Sequence, residues 1–225
     1  MNFLAFETSS RVGSVALETA AGVLVRELGS PREQTERLLT VTDELLTEAG
    51  IGLQSLAGIA FGRGPGSFTG LRVSAAVAQG LAAVTGVPLL PVSSLLGLAE
   101  RARREAGCRR ALVCIDAHMG EVYWAFAECR GDTVEIVGAE RLGPPAQIVA
   151  PDGSDWCAAG SGLAAYAQPL AAVTRAAEKM LPELVPSAES LLPQAKRDLA
   201  AGRAASPSAA LPVYLREHTA WKRSP

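Results

Sequence analysis

The order of the predicted strands and helices in the first 107 residues constrains the fold of this chain most. Three short runs separated by tight turns predict strands, and three helical patterns then alternate with two buried apolar runs. The predicted elements are, in order, strands 2–8, 13–19 and 22–28, helix 32–49, strand 56–62, helix 69–85, strand 87–92 and helix 94–106. Strands that alternate with helices are typical of an α/β lobe, in which helices cover the sheet.

The second half of the sequence begins with a pattern similar to that at the start. Phe6-Glu7-Thr8 and Ile115-Asp116-Ala117 each end an apolar strand at an acid. After a short turn, each is followed by a glycine that opens a second strand. This repeat predicts an internal duplication. We therefore expect an α/β protein of two related lobes, residues 1–107 and residues 108–225, of which the second is reduced.

The rest of the second half is less regular. A strand is predicted at residues 156–159 and a helix at residues 187–201. Residues 204–212 are rich in alanine, serine and proline, which predicts a linker. Residues 213–222, which include Tyr214, Leu215 and Trp221, are too apolar for a free tail. We expect this final segment to return and pack near the first lobe or a partner.

Composition excludes several classes of protein. Hydrophobic residues make up 48% of the chain, enough for a core, and the net charge of −2 argues against unaided binding of a polyanion. Residues 73–99 contain no charge, but turn residues divide the run, so helix, strand and helix are expected rather than a membrane span. None of the four cysteines forms a C-x-x-C pair, so unpaired thiols in the cytoplasm are expected.

A glycine-rich block at residues 62–72 is the strongest local signal for chemistry. It reads Gly-Arg-Gly-Pro-Gly-Ser-Phe-Thr-Gly-Leu-Arg and leads from a strand into a helix. A glycine-rich turn before a helix N-terminus is typical of phosphate binding, but the lysine of a P-loop is missing. The alternative is a tight connection between strand and helix, capped by Ser67 or Thr69.

The two acidic turns would face each other across a cleft between related lobes. Paired acidic turns can hold magnesium and the phosphates of ATP. The candidate residues for such a nucleotide cleft are Glu7, Ser9, Asp116, Gly160 and Gly162, with the two glycines under an adenosine. The alternative is that they are residual turn residues of a fold that once bound nucleotide. The sequence offers no nucleophile motif and no histidine pair, so we predict no catalytic residue and no metal site.

The predicted helix at residues 69–85 is apolar on nearly every side, so it must be covered on every side. A partner or a second copy would cover it, and burial within the monomer is the alternative. The candidate interface residues on this helix and the preceding one are Leu39, Leu46, Thr69, Leu71, Arg72, Ala75, Ala78 and Ala82. A glutamate at Ala75 or Ala78 is expected to abolish pairing and to leave the monomer folded.

Three motifs in this order resemble those of the bacterial TsaB family, also called YeaZ. They are the glycine block at residues 62–72, the acidic turn at residues 116–124 and the C-terminal motif at residues 212–222. The resemblance implies an actin/Hsp70/sugar-kinase (ASKHA) fold of two ribonuclease-H-like lobes. It also implies a role in making N6-threonylcarbamoyladenosine (t6A) at position 37 of tRNA.

The same resemblance implies specific partners and no catalysis by this chain. TsaB proteins pair through first-lobe helices with TsaD, the transferase, and recruit the ATPase TsaE. They also form homodimers through much the same surface. The resemblance implies that this chain has no cofactor of its own, although Mg-ATP could bind at an interface of the complex. It also implies that the chain contacts tRNA only as part of the complex.

Three positions depart from the family pattern. The family commonly has aspartate at the position of Glu7, histidine at that of Gln34 and arginine at that of His118. Glutamate in place of the usual aspartate argues against nucleotide binding in the cleft. None of the three departures argues against a role as a scaffold. The alternative function is an independent small-molecule kinase or ATPase of the same fold, which needs an intact acidic pair for magnesium.

Overall fold

The first lobe contains a five-stranded sheet with two helices on one face. The computed structural model describes residues 1–216. The elements of this lobe are β1 (Asn2–Glu7), β2 (Gly13–Thr19), β3 (Gly22–Gly29), α1 (Pro31–Glu48), β4 (Leu56–Gly64), α2 (Phe68–Thr85), β5 (Leu89–Ser93) and α3 (Ser94–Ala106). The sheet order is β3-β2-β1-β4-β5. The first three strands pair antiparallel, whereas β1, β4 and β5 run parallel.

Both faces of the central strand β1 are buried, and they pack against different helices. Leu4 and Phe6 point into a core that includes the inner faces of α1 and α2. Phe3 and Ala5 point to the opposite face, where they pack against a helix from the end of the chain. Because successive side chains of a strand alternate between faces, a continuous apolar strand needs cover on both sides.

The second lobe repeats the topology of the first. Its elements are β6 (Arg110–Asp116), β7 (Val122–Arg130), β8 (Thr133–Gly143), β9 (Cys157–Ala159), α4 (Gly162–Ala165), α5 (Ala167–Thr174) and β10 (Lys179–Leu181). The sheet order is β10-β9-β6-β7-β8, again with an antiparallel meander and two parallel strands. Two lobes of this topology confirm the ASKHA-type fold. The second lobe is the reduced one, because its parallel strands β9 and β10 have only three residues each and its helices are short.

Two helices cross between the lobes. The final helix α6 (Ala188–Ala200) forms where a helix was predicted, but it packs on the first sheet through Leu191 and Ala195. Conversely, α3 ends the first half of the chain yet packs against the second sheet through Leu95 and Leu98. The two helices also contact each other, since a Cβ at Gly97 would lie 2.7 Å from Leu191. The crossing joins the lobes through two shared cores.

The structure corrects the expectation of four unpaired thiols. Cys108 and Cys157 are joined by a disulfide, with their Cα atoms 5.9 Å apart, while Cys114 and Cys129 are free. Cys108 lies just before β6 and Cys157 begins the neighbouring strand β9, opposite Ala111. The two cysteines are 49 residues apart in sequence, so only the pairing of β6 with β9 brings them together.

The structure also shows that residues 204–212 are not a free linker. Ala205 forms a β-bridge with Leu89, and Ala210 is fully buried. The side-chain amide of Gln79 donates hydrogen bonds to the carbonyl oxygens of Pro207 and Ala210, at 2.9 and 3.0 Å. The segment therefore covers one side of α2. Within residues 1–216, no helix has both the length and the hydrophobicity needed to cross a membrane.

Candidate functional site

The glycine block packs tightly onto the turn that follows β1. A Cβ at Gly62 would overlap the carboxylate of Glu7, and one at Gly70 would overlap the carbonyl oxygen of Thr8. The hydroxyl of Thr8 donates to the carbonyl of Gly70 at 2.7 Å. Ser67 caps α2, because its hydroxyl accepts a hydrogen bond from the Gly70 amide. These contacts favour the tight connection between strand and helix over a phosphate cradle, since this chain's own atoms fill the space beside the glycines.

Glu7 is fully buried at the end of β1. Its carboxyl group accepts hydrogen bonds from the amide of Ser9, at 2.7 Å, and from the hydroxyl of Ser94, at 3.0 Å. Burial raises the pKa of Glu7, and these hydrogen bonds only partly oppose the rise. Both carboxyl oxygens are therefore engaged by donors from this chain, in a site away from solvent.

A cleft of about 570 Å³ lies between the lobes and brings the two acidic turns together. Its polar lining comes from both lobes: Ser9, Ser10, Arg11, Ser67, Asp116, His118, Ser161 and Arg216. The charges are mostly paired, since Arg11 contacts Glu183 at 2.5 Å and Arg216 contacts Glu121 at 2.6 Å. Glu7 does not line this cleft. Of the residues in the described range 1–216, the cleft therefore presents one acidic side chain rather than a pair.

The acidic side chain that lines the cleft, Asp116, is held by its own turn. One carboxylate oxygen accepts the amide of His118 at 2.7 Å, and the other lies 3.1 Å from the imidazole of the same residue. The amide of Asp116 donates to the hydroxyl of Ser161 at 3.1 Å. These local contacts hold the turn in place against the strand-to-helix connection after β9.

Gly160 and Gly162, which were predicted to lie under an adenosine, pack against Cys114. A Cβ at Gly160 would overlap the carbonyl oxygen of Cys114, and one at Gly162 would overlap its sulfur. Burial raises the pKa of the Cys114 thiol to about 12. The two glycines therefore have a packing role, which lets α4 approach the buried strand β6.

Gln34, one of the three departures from the family pattern, also has a local role. It is buried, and its side-chain amide donates to the carbonyl oxygens of Ser10 and Gly29, at 3.1 and 3.3 Å. It thereby joins the turn after β1 to the turn before α1. His118, by contrast, is exposed at the mouth of the cleft.

Most of the predicted interface residues on α1 and α2 lie inside this chain. Five of them are buried in the first-lobe core: Leu46, Leu71, Ala75, Ala78 and Ala82. For these five, the structure supports burial within the monomer, because α1 and the sheet cover this side of α2. The other three predicted residues, Leu39, Thr69 and Arg72, are exposed, and Leu39 is 56% exposed. A partner could therefore contact them.

A different set of α2 residues forms its outer face. We call this set the outer α2 face; its exposed members are Phe68, Thr69, Arg72, Ala76, Gly80, Ala83 and Val84. Residues three or four positions apart lie on the same side of a helix, so the sequence spacing alone places these residues on one side of α2. The sequence alone did not indicate which side of α2 faces outward, because the residues on the opposite side are also small and apolar.

An exposed aromatic cluster stands at the start of the outer α2 face. The guanidinium carbon of Arg72 lies 3.8 Å from the ring centroid of Phe68, and its Nε donates to the hydroxyl of Tyr214 at 3.1 Å. The rings of Phe68 and Tyr214 are 5.3 Å apart. The sequence predicted Arg72 as an interface residue, but no sequence signal pointed to this aromatic cluster.

The C-terminal segment brings Tyr214 to this position. The amide of Val213 donates to the carbonyl of Arg63 in the glycine block, at 2.8 Å. Arg216 donates to the carbonyl of Ala117, at 3.1 Å, on the acidic turn of the second lobe. Residues 213–216 thus contact both lobes, whereas Trp221 and the rest of the predicted C-terminal motif lie outside the described residues.

Comparison with known proteins identifies the family. A sequence model of the family "TsaD: tRNA N6-adenosine threonylcarbamoyltransferase" matches residues 27–221. The chain is 36% identical to the Escherichia coli tRNA threonylcarbamoyladenosine biosynthesis protein TsaB, over all of this chain and 99% of that protein.

Solved structures from Pseudomonas aeruginosa agree with this result. An uncharacterized protein with similarity to peptidase YeaZ is 39% identical with a TM-score of 0.89, over 96% of this chain and 99% of that one. YeaZ is 38% identical with a TM-score of 0.86, over 95% of this chain and 100% of that one. A full-length match at this identity, together with the duplicated lobes and the glycine block, shows that the chain belongs to the TsaB family of tRNA threonylcarbamoyladenosine biosynthesis proteins.

Proposed function

We propose that this chain is a non-catalytic subunit that binds and activates a TsaD-like transferase during formation of t6A on tRNA. The observation that carries the proposal is the outer α2 face, a row of mostly small or apolar residues exposed on a helix whose opposite side is buried in the core. Family membership supports the pathway, since the Escherichia coli relative is named for threonylcarbamoyladenosine biosynthesis. The match to the TsaD family model supports a partner of related fold.

The composition of the outer α2 face suits a close helical contact. Ala76, Gly80 and Ala83 carry little or no side chain and would let a facing helix approach closely. Val84, at 83% exposure, and Leu39 on the neighbouring helix add apolar area that water covers in the monomer. Covering exposed apolar surface is favourable at about 25 cal/mol per Å². A partner helix packed here would gain that energy.

The interior of the cleft supports a role without catalysis. One of the two predicted acids, Glu7, is buried with both oxygens engaged, and Asp116 is held by its own turn. A kinase of this fold would need two acids free to hold magnesium and phosphate. We therefore propose no cofactor for this chain alone, with Mg-ATP acting at an interface of the complex.

The proposal extends to the remaining partners that the family resemblance implies. A TsaE-like ATPase would join the pair, tRNA would bind only to the assembled complex, and the complex would act in the cytoplasm. When the transferase is absent, two copies of this chain would pair through the outer α2 face. The same apolar surface would serve both pairings, so they would compete.

The experiment is a binding and activity assay with matched variants. Ala83→Glu places a charge on the outer α2 face, and Ala139→Glu places the same charge at an exposed alanine of β8 in the second lobe. With a TsaD relative, we expect the first variant to lose complex formation and t6A synthesis, and the control to keep both. Both variants should unfold near the wild-type midpoint.

Two results would contradict the proposal. One is a Val84→Glu or Ala83→Glu variant that binds the transferase as tightly as the wild type does. The other is turnover of Mg-ATP on a small-molecule acceptor by the purified chain alone, detected by calorimetry and phosphate release. That second result would favour the independent kinase.

A further inference from the structure

The guanidinium group of Arg72 is held in place by two aromatic side chains before any partner arrives. Its central carbon lies over the ring of Phe68, one helical turn earlier on α2, at 3.8 Å from the centroid. Its Nε is bound to the hydroxyl of Tyr214. Stacking and a hydrogen bond remove much of the rotational freedom that an exposed arginine normally has.

Among the residues that the structure describes, the two terminal nitrogens of Arg72 have no acidic partner. Within residues 1–216, no carboxylate lies within 4.0 Å of this side chain, although fifteen such ion pairs occur elsewhere. The neighbouring arginines are neutralised: Arg63 faces Glu140, and Arg216 faces Glu121. From residue 73 to residue 99 the chain has no charge. Within helix α2, Arg72 is therefore the single charged side chain, and it lies near one end of the outer α2 face.

We infer that Arg72 is an anchor for one carboxylate, an aspartate or glutamate on the partner helix that covers the outer α2 face. This inference rests on the proposed function. The terminal nitrogens of a guanidinium donate two parallel hydrogen bonds to a carboxylate, and such bonds are stronger than those between neutral groups. Because the fork is already ordered, less entropy is lost when the carboxylate binds.

The charge distribution favours a protein carboxylate over the phosphates of a nucleic acid. A polyanion is usually met by several basic side chains that each neutralise a phosphate. Here the exposed residues that follow Arg72 along α2 include Ala76, Gly80 and Ala83, and both Arg63 and Arg216 are already paired with glutamates. One carboxylate flanked by small apolar residues on a protein helix matches this pattern.

Tyr214 acts as a positioning residue for the anchor. It lies 142 residues beyond Arg72 in sequence, and the segment that carries it is bound to the glycine block through Val213 and to the second lobe through Arg216. Removing the tyrosine hydroxyl would free the Nε of Arg72 and leave the aromatic ring in place. Binding would weaken although the charge on Arg72 is unchanged.

The test measures affinity for a purified TsaD relative at low and high salt. We expect Arg72→Gln to weaken binding about ten- to hundredfold, because a charged hydrogen-bonded pair is lost, and Arg72→Lys to restore only part of it. Tyr214→Phe should weaken binding by a smaller factor, roughly threefold to tenfold. Salt should weaken binding of the wild type more than that of Arg72→Gln.

Arg141→Gln is the matched control. Arg141 is also an exposed arginine over an aromatic ring, 5.1 Å from the centroid of Trp124, but it lies in the second lobe. We expect this variant to bind as the wild type does. The unfolding midpoints of all variants, measured by circular dichroism, should agree with that of the wild type.

The outcomes separate the inference from the proposed function. If the wild type itself does not bind the transferase, the proposed function fails and the inference fails with it. If the wild type binds and Arg72→Gln binds equally well, the inference alone is overturned. It is also overturned if Arg72→Gln keeps the protein partner but loses tRNA binding by the assembled complex, since Arg72 would then contact phosphate.

Discussion

The carboxyl group of Glu7 accepts a hydrogen bond from the hydroxyl of Ser94, 3.0 Å away, and so links the end of β1 to the start of α3. Since α3 packs on the second sheet, this buried contact lies where the first lobe meets the second. In a working nucleotide cleft, an acid at the end of β1 would face the ligand. Here it joins the end of β1 to the start of α3 inside the protein.

The buried carboxyl group predicts a specific pH dependence. Burial raises the pKa of Glu7, so the folded state holds this proton more tightly than the unfolded state does. The stability it contributes is full below the unfolded pKa and is lost as pH rises through the folded pKa. Glu7→Gln should therefore gain stability relative to the wild type from about pH 4.5 upward. Urea unfolding at about pH 5 and about pH 8 measures the difference.

Glu33 provides a control with the opposite sign. Its carboxylate accepts hydrogen bonds from the amide and hydroxyl of Ser30, at the start of α1, and these lower its pKa. The stability it contributes is present above the unfolded pKa and is lost as pH falls through the folded pKa. The free energy of unfolding of Glu33→Gln should therefore fall relative to that of the wild type as pH rises. The same trend for both variants would contradict the assignment for Glu7.

The disulfide between Cys108 and Cys157 should stabilise the second lobe. It closes a loop spanning 49 residues, and the loss of such a cross-link typically costs about 2–4 kcal/mol of unfolding free energy. We expect a lower urea midpoint for Cys157→Ser, or for the wild type in a strong reductant. Cys129→Ser, which removes a half-buried free thiol, should cost less than about 1 kcal/mol. Equal midpoints for the oxidised and reduced protein would refute this.

Charge substitutions on opposite sides of α2 should behave differently. Ala78 is fully buried against the first sheet, so Ala78→Glu should lower the unfolding free energy by about 3 kcal/mol or more. Ala83 is exposed, so Ala83→Glu should change it by less than about 0.5 kcal/mol. The burial of Ala75 and Ala78 argues against the expectation that a glutamate at either position leaves the monomer folded. Thermal unfolding of the isolated variants checks it; similar melting of Ala78→Glu and wild type would contradict the burial.

Two glycines of α2 form a second matched pair. A Cβ at Gly70 would overlap the carbonyl of Thr8, so Gly70→Ala should destabilise the fold by about 2 kcal/mol or more. A Cβ at Gly80 meets open space, so Gly80→Ala should stabilise the monomer by about 0.5–1 kcal/mol through helix propensity. Denaturant unfolding of both variants measures the difference. A destabilised Gly80→Ala variant would show that the outer α2 face is covered in the free protein.

Much of the fold follows from local patterns. The start of α1 was predicted from Ser30 and Pro31, and the structure has a capping box there, with Glu33 bound to the Ser30 amide. Glu7 and Asp116 each end a strand and are followed by a turn and a glycine, and this repeated pattern predicted two lobes. The structure has two sheets with the same strand topology. Such signals depend on residues close in sequence, so they are visible without a structure.

Less of the site was visible. The sequence indicated that α2 needed cover on every side, but the chain itself covers the side that holds Ala75 and Ala78. A helix whose opposite faces are both small and apolar carries no amphipathic signal to show which face is inside. The glycine block was equally ambiguous, because glycine suits both a phosphate and a close backbone contact, and the Thr8 carbonyl beside Gly70 decides between them.

The sequence by itself determined the order of strands and helices in the first lobe, the duplication and the family, because periodicity, caps and turn residues act over a few neighbouring positions. Only the tertiary structure decided that α6 covers the first sheet, that Cys108 meets Cys157, and that Tyr214 holds Arg72. Those contacts join residues dozens to more than a hundred positions apart. They depend on how the finished sheets and helices stack, and no local pattern records that arrangement.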